Sequence, residues 1–426
     1  MAAPGRLFPP IVPRHLPVRP MSKKQPSVKT SKRPAKRAAA APHRLLVGTR
    51  KGGFLLEASR GRSGWKLTGP FVLGTQVHDL RLDPRDGKTL LMTAGLGHLG
   101  PTMYRSTNLG RKWTEISAPP RFDSLPARSR NKPREDGTTR GMTVKMNFWL
   151  EPGHASEPGV WYCGTGPQGL FRSEDRGDTW AGVEGFNLNP EYAKWSITED
   201  GSPIGSILHS ILIDPRDAAH MYLSMSSGGT FESTDQGRSW RPLNRNVQVT
   251  FGPEEFPEFG QDPHCVILHP ADPDRLYQQN HCGIYRLDRT VGDGEGWVRI
   301  GERMPKKVGD IGFGVVGHPT DRDTVWVLPM DGTTIWPRTS PGGKPALYRT
   351  SNAGRTWQRL DKGLPAQGWH TVLRQALTID TDPKSPTLYF GTTSGELWIG
   401  RDGGEKFECI AQHLPYIHSV RTVPRG

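Results

Sequence analysis

The 426-residue chain has little of what marks disulfide-stabilised or membrane proteins. It contains only four cysteines, which we interpret as reduced thiols because so few in so long a chain do not form a disulfide framework. Hydrophobic residues make up 34% of the chain, and no stretch approaches the roughly 18 apolar residues that a membrane-spanning helix needs. We therefore expect no membrane association.

Negative charge is missing from the start of the chain, where the first acidic residue is Glu57. Eleven of the 56 Lys and Arg residues lie in 1–44, and the remaining 45 face 42 acidic residues, so the rest of the chain is nearly neutral. The basicity belongs to a tail and gives no reason to expect specific nucleic-acid binding. Richness in Pro, Lys and Ala predicts a disordered tail over 1–43 and a folded domain over 44–426. The tail has no apolar core of a secretory signal, so we expect a cytoplasmic protein, and Met21 is an alternative start.

Glycine and proline are abundant, with 51 and 39 residues, and favour a chain rich in turns over a helical bundle. Many of the 13 tryptophans end a repeated Ser-x-Asp-x-Gly-x-Thr-Trp pattern. In this pattern Asp or Asn hydrogen-bonds the turn backbone, Gly supplies positive φ, and Trp packs as a large apolar side chain. The full copies end at Trp113, Trp180, Trp240 and Trp357, and degenerate copies end at Trp65, Trp297 and Phe407.

Apolar strands precede each copy, and most are followed by Asp-Pro or His-Pro. Each repeat is long enough for a four-stranded blade. The segment 417–424 supplies an inner strand, which the N-terminal segment 44–67 lacks. We therefore predict an all-β fold, a single seven-bladed β-propeller whose ring closes by pairing of the N- and C-terminal strands.

The repeats, together with "LVGTRKG" at 46–52 and "YQQNHCG" at 277–283, resemble the Asp-box (BNR-repeat) β-propellers. They are most similar to bacterial proteins of that group labelled sialidase-like or glycosyl hydrolase. The resemblance covers nearly all of 44–426 and implies the propeller fold. It also implies a sialidase-like or other glycoside hydrolase activity as one hypothesis. Against that activity, no Arg-Ile-Pro motif precedes Trp65 or Trp113, and no Tyr-Glu pair can be assigned to Arg140, Arg374 and Arg421.

Histidines recur at one position of the predicted inner strands. Alignment on Asp-Pro places His78, His209, His264 and His418 in one column, and Met146, Phe313 and Gln375 fill the other three positions. Equivalent strand positions point the same way, so we expect the histidines to surround one mouth of the central channel. His98 and His281 fall in predicted loops at the same face.

Neutral imidazole is a good ligand for iron, copper or zinc. We therefore predict a transition metal site formed by His209, His264, His281 and His418. Ligand-binding candidates are His78, His98, Arg374 and Gln375, of which Arg374 and Gln375 would orient an anionic or polar ligand. A purely structural role for the histidines stays open, and no catalytic residue is assigned.

Three functions therefore remain open, and with them the question whether the chain is an enzyme. The first is a small-molecule or glycan pocket at the histidine-lined mouth, and the second is a glycoside hydrolase. The third is a scaffold that binds a protein partner through its long loops. These loops lie at 117–143, 184–207, 244–263 and 361–373. They offer Tyr192, Trp195, Glu254 and Trp369 as expected pocket walls.

Overall fold

The computed structural model describes residues 43–58, 64–123, 141–195, 206–331 and 338–423. Seven antiparallel sheets of four strands each form a ring, which is the predicted seven-bladed β-propeller. The predicted tail, apart from His43, lies outside the described residues. No helix among the described residues is both long enough and apolar enough to span a membrane.

The strands are numbered in chain order, and each blade is given from its inner to its outer strand. Blade 1 comprises β28 (Ile417–Val423), β1 (Arg44–Thr49), β2 (Gly52–Ala58) and β3 (Trp65–Phe71). Blade 2 comprises β4 (Leu80–Leu82), β5 (Leu90–Gly95), β6 (Pro101–Ser106) and β7 (Thr114–Glu115). Blade 3 comprises β8 (Met146–Pro152), β9 (Trp161–Gly166), β10 (Leu170–Ser173) and β11 (Ala181–Gly182).

The remaining blades follow the same order. Blade 4 comprises β12 (Leu208–Ile213), β13 (Met221–Met225), β14 (Gly229–Ser233) and β15 (Arg241–Pro242). Blade 5 comprises β16 (Pro263–His269), β17 (Asp272–Asn280), β18 (Gly283–Asp288) and β19 (Val298–Arg299). Blade 6 comprises β20 (Gly312–Gly317), β21 (Val325–Pro329), β22 (Leu347–Thr350) and β23 (Gln358–Leu360). Blade 7 comprises β24 (Leu377–Ile379), β25 (Leu388–Gly391), β26 (Leu397–Arg401) and β27 (Lys406–Ala411).

Helical turns are short and lie in the connections. They are α1 (Glu184–Asn187), α2 (Tyr192–Trp195) and the 3-10 turns Gly97–Leu99, Gly301–Arg303, Pro341–Gly343 and Asp402–Gly404.

The ring closes through the two ends of the folded region. Strand β1 pairs antiparallel with β28, so that Val47 lies opposite Val420 and Leu46 lies opposite Arg421. This confirms the predicted pairing of N- and C-terminal strands. Because blade 1 takes its innermost strand from the C-terminal end of the chain, the inner edge of β1 is paired.

The repeated turns join neighbouring blades. In blade 3 the Asp175 carboxylate accepts hydrogen bonds from the Thr179 backbone N (2.9 Å) and hydroxyl (2.6 Å). Gly177 has φ of 81° and lies so close to Leu91 of blade 2 that a Cβ would be 2.4 Å from it. The Trp180 indole donates to the Gly177 carbonyl at 3.1 Å. Glycine is therefore required here by both the backbone conformation and the space.

The connection between blades 3 and 4 belongs to the core. Tyr192 and Trp195 are 3% and 4% exposed, so the expectation that they form pocket walls is wrong. The Trp195 ring packs 4.8 Å from that of Phe231, and Phe186 lies against both aromatic residues of α2. The Tyr192 hydroxyl donates to the Gln168 carbonyl at 2.6 Å. Two helical turns fold these side chains inward, where they seal the ends of the two blades.

Candidate functional site at the mouth of the central channel

One end of the propeller carries the loops that join outer to inner strands and the loops that join the second to the third strand of each blade. We call this end the mouth face. Several large apolar side chains stand exposed on it, although apolar side chains of this size are usually buried. They are Leu73, Leu99, Phe251, Phe256 and Trp369, which are 48% to 74% exposed. Loops at one end of a rigid scaffold are the expected place for a binding site.

Three side chains of types that commonly bind metals meet on the mouth face at blade 5. Asp262 ends the loop before β16, His264 is the second residue of β16, and His281 lies in the turn between β17 and β18. One ligand atom from each lies within 4.8 Å of those of the other two. We call these three residues the Asp262 cluster.

The protonation of His264 is constrained by its backbone contact. Its Nδ1 lies 2.6 Å from the Gly312 carbonyl oxygen, which can only accept, so Nδ1 carries a hydrogen. Its Nε2 lies 3.3 Å from Asp262 Oδ2. In a neutral imidazole with its hydrogen on Nδ1, Nε2 carries a lone pair, and this lone pair faces a carboxylate oxygen. A positive species, either a proton or a metal ion, is needed between the two atoms.

The second imidazole approaches the same carboxylate oxygen. His281 Nδ1 lies 3.3 Å from Asp262 Oδ2, and its Nε2 lies 3.4 Å from Arg338 Nη2. Burial alone would raise the pKa of Asp262, but the charge and hydrogen bond of His264, the hydrogen bond of His281 and the charge of Arg374 hold the pKa well below its usual value. The carboxylate is therefore ionised in neutral solution.

His209 and Arg374 lie beside this cluster. His209 is fully buried, and its Nδ1 is 2.9 Å from the Ser210 hydroxyl. Its Nε2 has no hydrogen-bond partner among the described residues. Burial, then the charge of Arg374, place the pKa of His209 well below its usual value. Arg374 donates to the Ser226 hydroxyl at 3.1 Å.

The other two histidines of the column form a separate pair. The rings of His78 and His418 are 4.6 Å apart, and the Gln76 amide nitrogen lies 3.3 Å from His418 Nε2. Burial lowers the pKa of His78 to about 4. Burial and the neighbouring His78 lower the pKa of His418 to about 2. Both rings are therefore neutral at physiological pH, and no carboxylate of the described residues lies between them.

The remaining candidates take up two different positions. His98 is exposed in the turn Gly97–Leu99 and contacts none of the other predicted histidines among the described residues. Gln375 is 1% exposed. Its amide nitrogen donates to the Phe148 carbonyl at 3.0 Å, and its amide oxygen accepts from Arg421 at 2.7 Å. Both ends of the Gln375 amide are thus used, one in a bond to blade 3 and the other in a bond to blade 1.

A channel cavity of about 320 Å³ lies along the axis and is lined by residues of all seven inner strands and their flanks. Arg81 and Arg421 line it, and both bond to Asp79, which is fully buried. Arg81 also donates to Glu151 at 2.7 Å. Arg421 and Arg81 outweigh burial to lower the pKa of Asp79. Burial raises the pKa of Glu151 in spite of Arg81.

Sequence reasoning missed two residues of this site. Asp262 is followed by proline, and the same dipeptide elsewhere marks turns, so its position two residues before His264 was the available signal. Arg338 lies in a long connection of blade 6 outside the repeated pattern, and nothing in the sequence pointed to it.

Comparison with known proteins supports the fold and leaves the function open. No protein-family model matches the chain. The chain is 23% identical over 326 residues to a protein of Neosartorya fischeri named as a probable oligoxyloglucan-reducing end-specific xyloglucanase, covering 68% of this chain and 34% of that protein. It is 25% identical over 196 residues to the dispase autolysis-inducing protein of Streptomyces mobaraensis, covering 46% of this chain and 48% of that protein. The chain thus spans about a third to a half of these relatives.

Two solved structures share the architecture. The GH74 xyloglucanase from Xanthomonas campestris superposes with a TM-score of 0.59 at 17% identity, over 88% of this chain and 53% of that one. The periplasmic gluconolactonase of Pseudomonas aeruginosa superposes with a TM-score of 0.54 at 13% identity, over 91% of this chain and 100% of that one. At these identities the likeness shows the propeller fold alone, because one fold hosts many chemistries.

Proposed function

We propose that the chain is an Asp-box propeller that carries a transition metal at the mouth of its channel, bound by Asp262, His264 and His281. The observation that supports this most strongly is the pair formed by His264 Nε2 and Asp262 Oδ2, which are 3.3 Å apart. With the Nδ1 hydrogen committed to Gly312, a neutral His264 offers only a lone pair to the carboxylate. A metal ion between these atoms would accept the lone pair of His264 Nε2 and a lone pair of the Asp262 carboxylate.

The spacing suits a first-row metal. Ligand atoms about 2.1 Å from a tetrahedral zinc lie roughly 3.4 Å from one another. Asp262 Oδ2 lies 3.3 Å from His264 Nε2 and 3.3 Å from His281 Nδ1. Two imidazoles and a carboxylate leave a coordination position open, as in catalytic zinc sites and non-haem iron sites. Zinc and iron are therefore the metals that we propose for this site.

The surrounding groups would support the ligands. The Gly312 carbonyl fixes the orientation of the His264 ring, as second contacts of metal-bound histidines commonly do. Coordination through His281 Nδ1 would place the hydrogen on Nε2, and the contact of Nε2 with Arg338 would then be lost. Arg338 Nη2 would then be available to a negatively charged ligand, while Nη1 donates to the Asp331 carbonyl at 3.0 Å.

Metal content in purified protein tests this function. We expect close to one zinc or iron per chain by elemental mass spectrometry after chelator-free purification, and its loss in His264→Ala. His98→Ala is the matched control, because it removes an exposed histidine of the same face and should keep the metal. Metal retained in both variants, or absent from the wild type even after incubation with zinc and iron, would contradict the proposal.

Glycoside hydrolysis is the second candidate, and one observation favours it. Glu151 and Asp79 lie on either side of Arg81, with pKa values displaced in opposite directions. Such a pair can divide the roles of acid and base. Asp79 is fully buried under its arginine partners, however, and cannot contact a sugar without rearrangement. Release of reducing sugar from xyloglucan oligosaccharides that is abolished in Glu151→Gln would establish this activity in place of the metal-centred one.

A further inference from the structure

The channel cavity has three arginines in its lining, and they differ in their partners. Arg421 forms an ion pair with Asp79 at 3.0 Å. Arg81 forms ion pairs with Asp79 at 3.2 Å and with Glu151 at 2.7 Å. Arg374 has no carboxylate oxygen within 4.0 Å among the described residues. One cation of the cavity is therefore without a counter-ion.

The surroundings of Arg374 do little to compensate its charge. Its Nη1 donates to the Ser226 hydroxyl, and its guanidinium carbon lies 5.6 Å from the centre of the Phe148 ring. Asp262 acts on it only at longer range, and that carboxylate is engaged by His264 and His281. Burial lowers the pKa of Arg374 in spite of the charge of Asp262. A guanidinium presents five N–H donors, and Nη1 uses one of them in its bond to Ser226.

The rest of the lining is mainly apolar. It consists of aliphatic side chains from the inner strands of blades 4 to 7, including Leu212, Val266, Leu268, Val315, Leu377 and Ile379. A cavity of about 320 Å³ is at the small end of the range for small-molecule sites. The channel cavity therefore has one cationic end and an aliphatic wall.

We propose that the channel cavity binds a small organic acid with one carboxylate and a short apolar body, the carboxylate pairing with Arg374. A doubly charged phosphate suits the cavity less well, because Arg81 and Arg421 are already neutralised and Glu151 would repel it. Arg374 and a carboxylate can form two parallel hydrogen bonds. The proposal does not depend on a metal, since no member of the Asp262 cluster lines the cavity.

Isothermal titration calorimetry of chelator-treated protein tests the inference and keeps it separate from metal binding. The probes are sodium acetate, butyrate and hexanoate, with 1-hexanol and inorganic phosphate as comparisons. We expect 1:1 binding that strengthens from acetate to hexanoate, and at least tenfold weaker binding of hexanol and phosphate. Arg374→Gln should weaken hexanoate binding at least tenfold, whereas Arg111→Gln, which removes an exposed arginine, should leave it unchanged.

A second measurement needs no variant and covers the case in which Arg374→Gln does not fold. Nuclear Overhauser contacts between the hexanoate methyl group and methyl groups of Val266, Val315 and Leu377 should appear in the wild-type protein. Their absence at saturating hexanoate overturns the proposal. So does the failure of every carboxylate to bind, or an equal affinity of Arg374→Gln and the wild type. A wild-type protein that binds hexanoate but no metal would contradict the proposed function and would support this inference.

Discussion

Two pairs of histidines lie on the mouth face and differ in their chemistry. The rings of His78 and His418 lie with their centres 4.6 Å apart and their planes tilted by 48°. His264 and His281 meet edge to face at 5.7 Å, with Asp262 Oδ2 3.3 Å from a nitrogen of each. The first pair consists of neutral rings packed together, whereas the second pair surrounds the negative charge of the Asp262 carboxylate. A carboxylate, and not the number of histidines, distinguishes a candidate metal site from buried aromatic rings.

Removal of that carboxylate should have the largest effect. In Asp262→Asn we expect zinc affinity to fall about 100-fold or more, because an ionised ligand is replaced by a neutral amide. Competition with a fluorescent chelator measures this. Asp123→Asn, at an exposed position, is the matched control. Equal zinc affinities of the wild type and Asp262→Asn would contradict the claim that this carboxylate distinguishes His264 and His281 from His78 and His418.

The pair His78 and His418 should make the stability of the protein sensitive to acid. The pKa values of His78 and His418, about 4 and about 2, lie below the unfolded value of 6.5. The unfolded chain therefore binds more protons below pH 6.5, and stability is lost as pH falls from 6.5 towards 4. His418→Phe should abolish part of this loss, on the order of 2 kcal/mol at pH 4.5. Urea unfolding of the two proteins at pH 7.5 and 4.5 measures it, and an unchanged pH dependence would contradict the assignment.

A carboxylate placed beside His78 and His418 should make this pair more like the pair at Asp262. Gln76 contacts His418, so Gln76→Asp puts a negative charge near that imidazole. We expect the pKa of His418 to rise by about one unit or more. Titration of the histidine ring signals by NMR reports the change, with Gln76→Asn as the uncharged control. A pKa that stays near 2 in Gln76→Asp would show that burial dominates even beside a carboxylate.

His98 should have the smallest effect. It is exposed and outside both pairs, so His98→Ala should change the free energy of unfolding by less than about 0.5 kcal/mol. Zinc affinity should also be unchanged. A reduced zinc affinity in this variant would extend the metal site beyond the Asp262 cluster.

The fold was predictable because its signals are local and repeated. The Ser-x-Asp-x-Gly turns placed each blade, and the unpaired segments at the two ends of the domain predicted how the ring closes. Asp175 and Gly177 act as their residue types suggest, by bonding the turn and by admitting a neighbouring blade. Such features depend on a few adjacent residues, which the sequence shows directly.

The site was only partly predictable because it depends on register and on distant loops. Irregularities interrupt the pairing of several inner strands, for example between Asn147 and Trp149 and between Pro263 and Cys265. A shift of one residue exchanges the two faces of a strand. In blade 3 the residue whose ring contacts His78 is Phe148, which lies at the irregularity and two residues after the aligned Met146. Arg338 reaches His281 from another blade, a contact that no linear spacing encodes.

Anomalous X-ray diffraction at the zinc and iron absorption edges, from crystals grown with one of these metals, tests the central claim most directly. The account predicts one strong peak about 2.0 to 2.2 Å from Asp262 Oδ2, His264 Nε2 and His281 Nδ1. A peak between His78 and His418, or no peak at the Asp262 cluster at saturating metal, would contradict it.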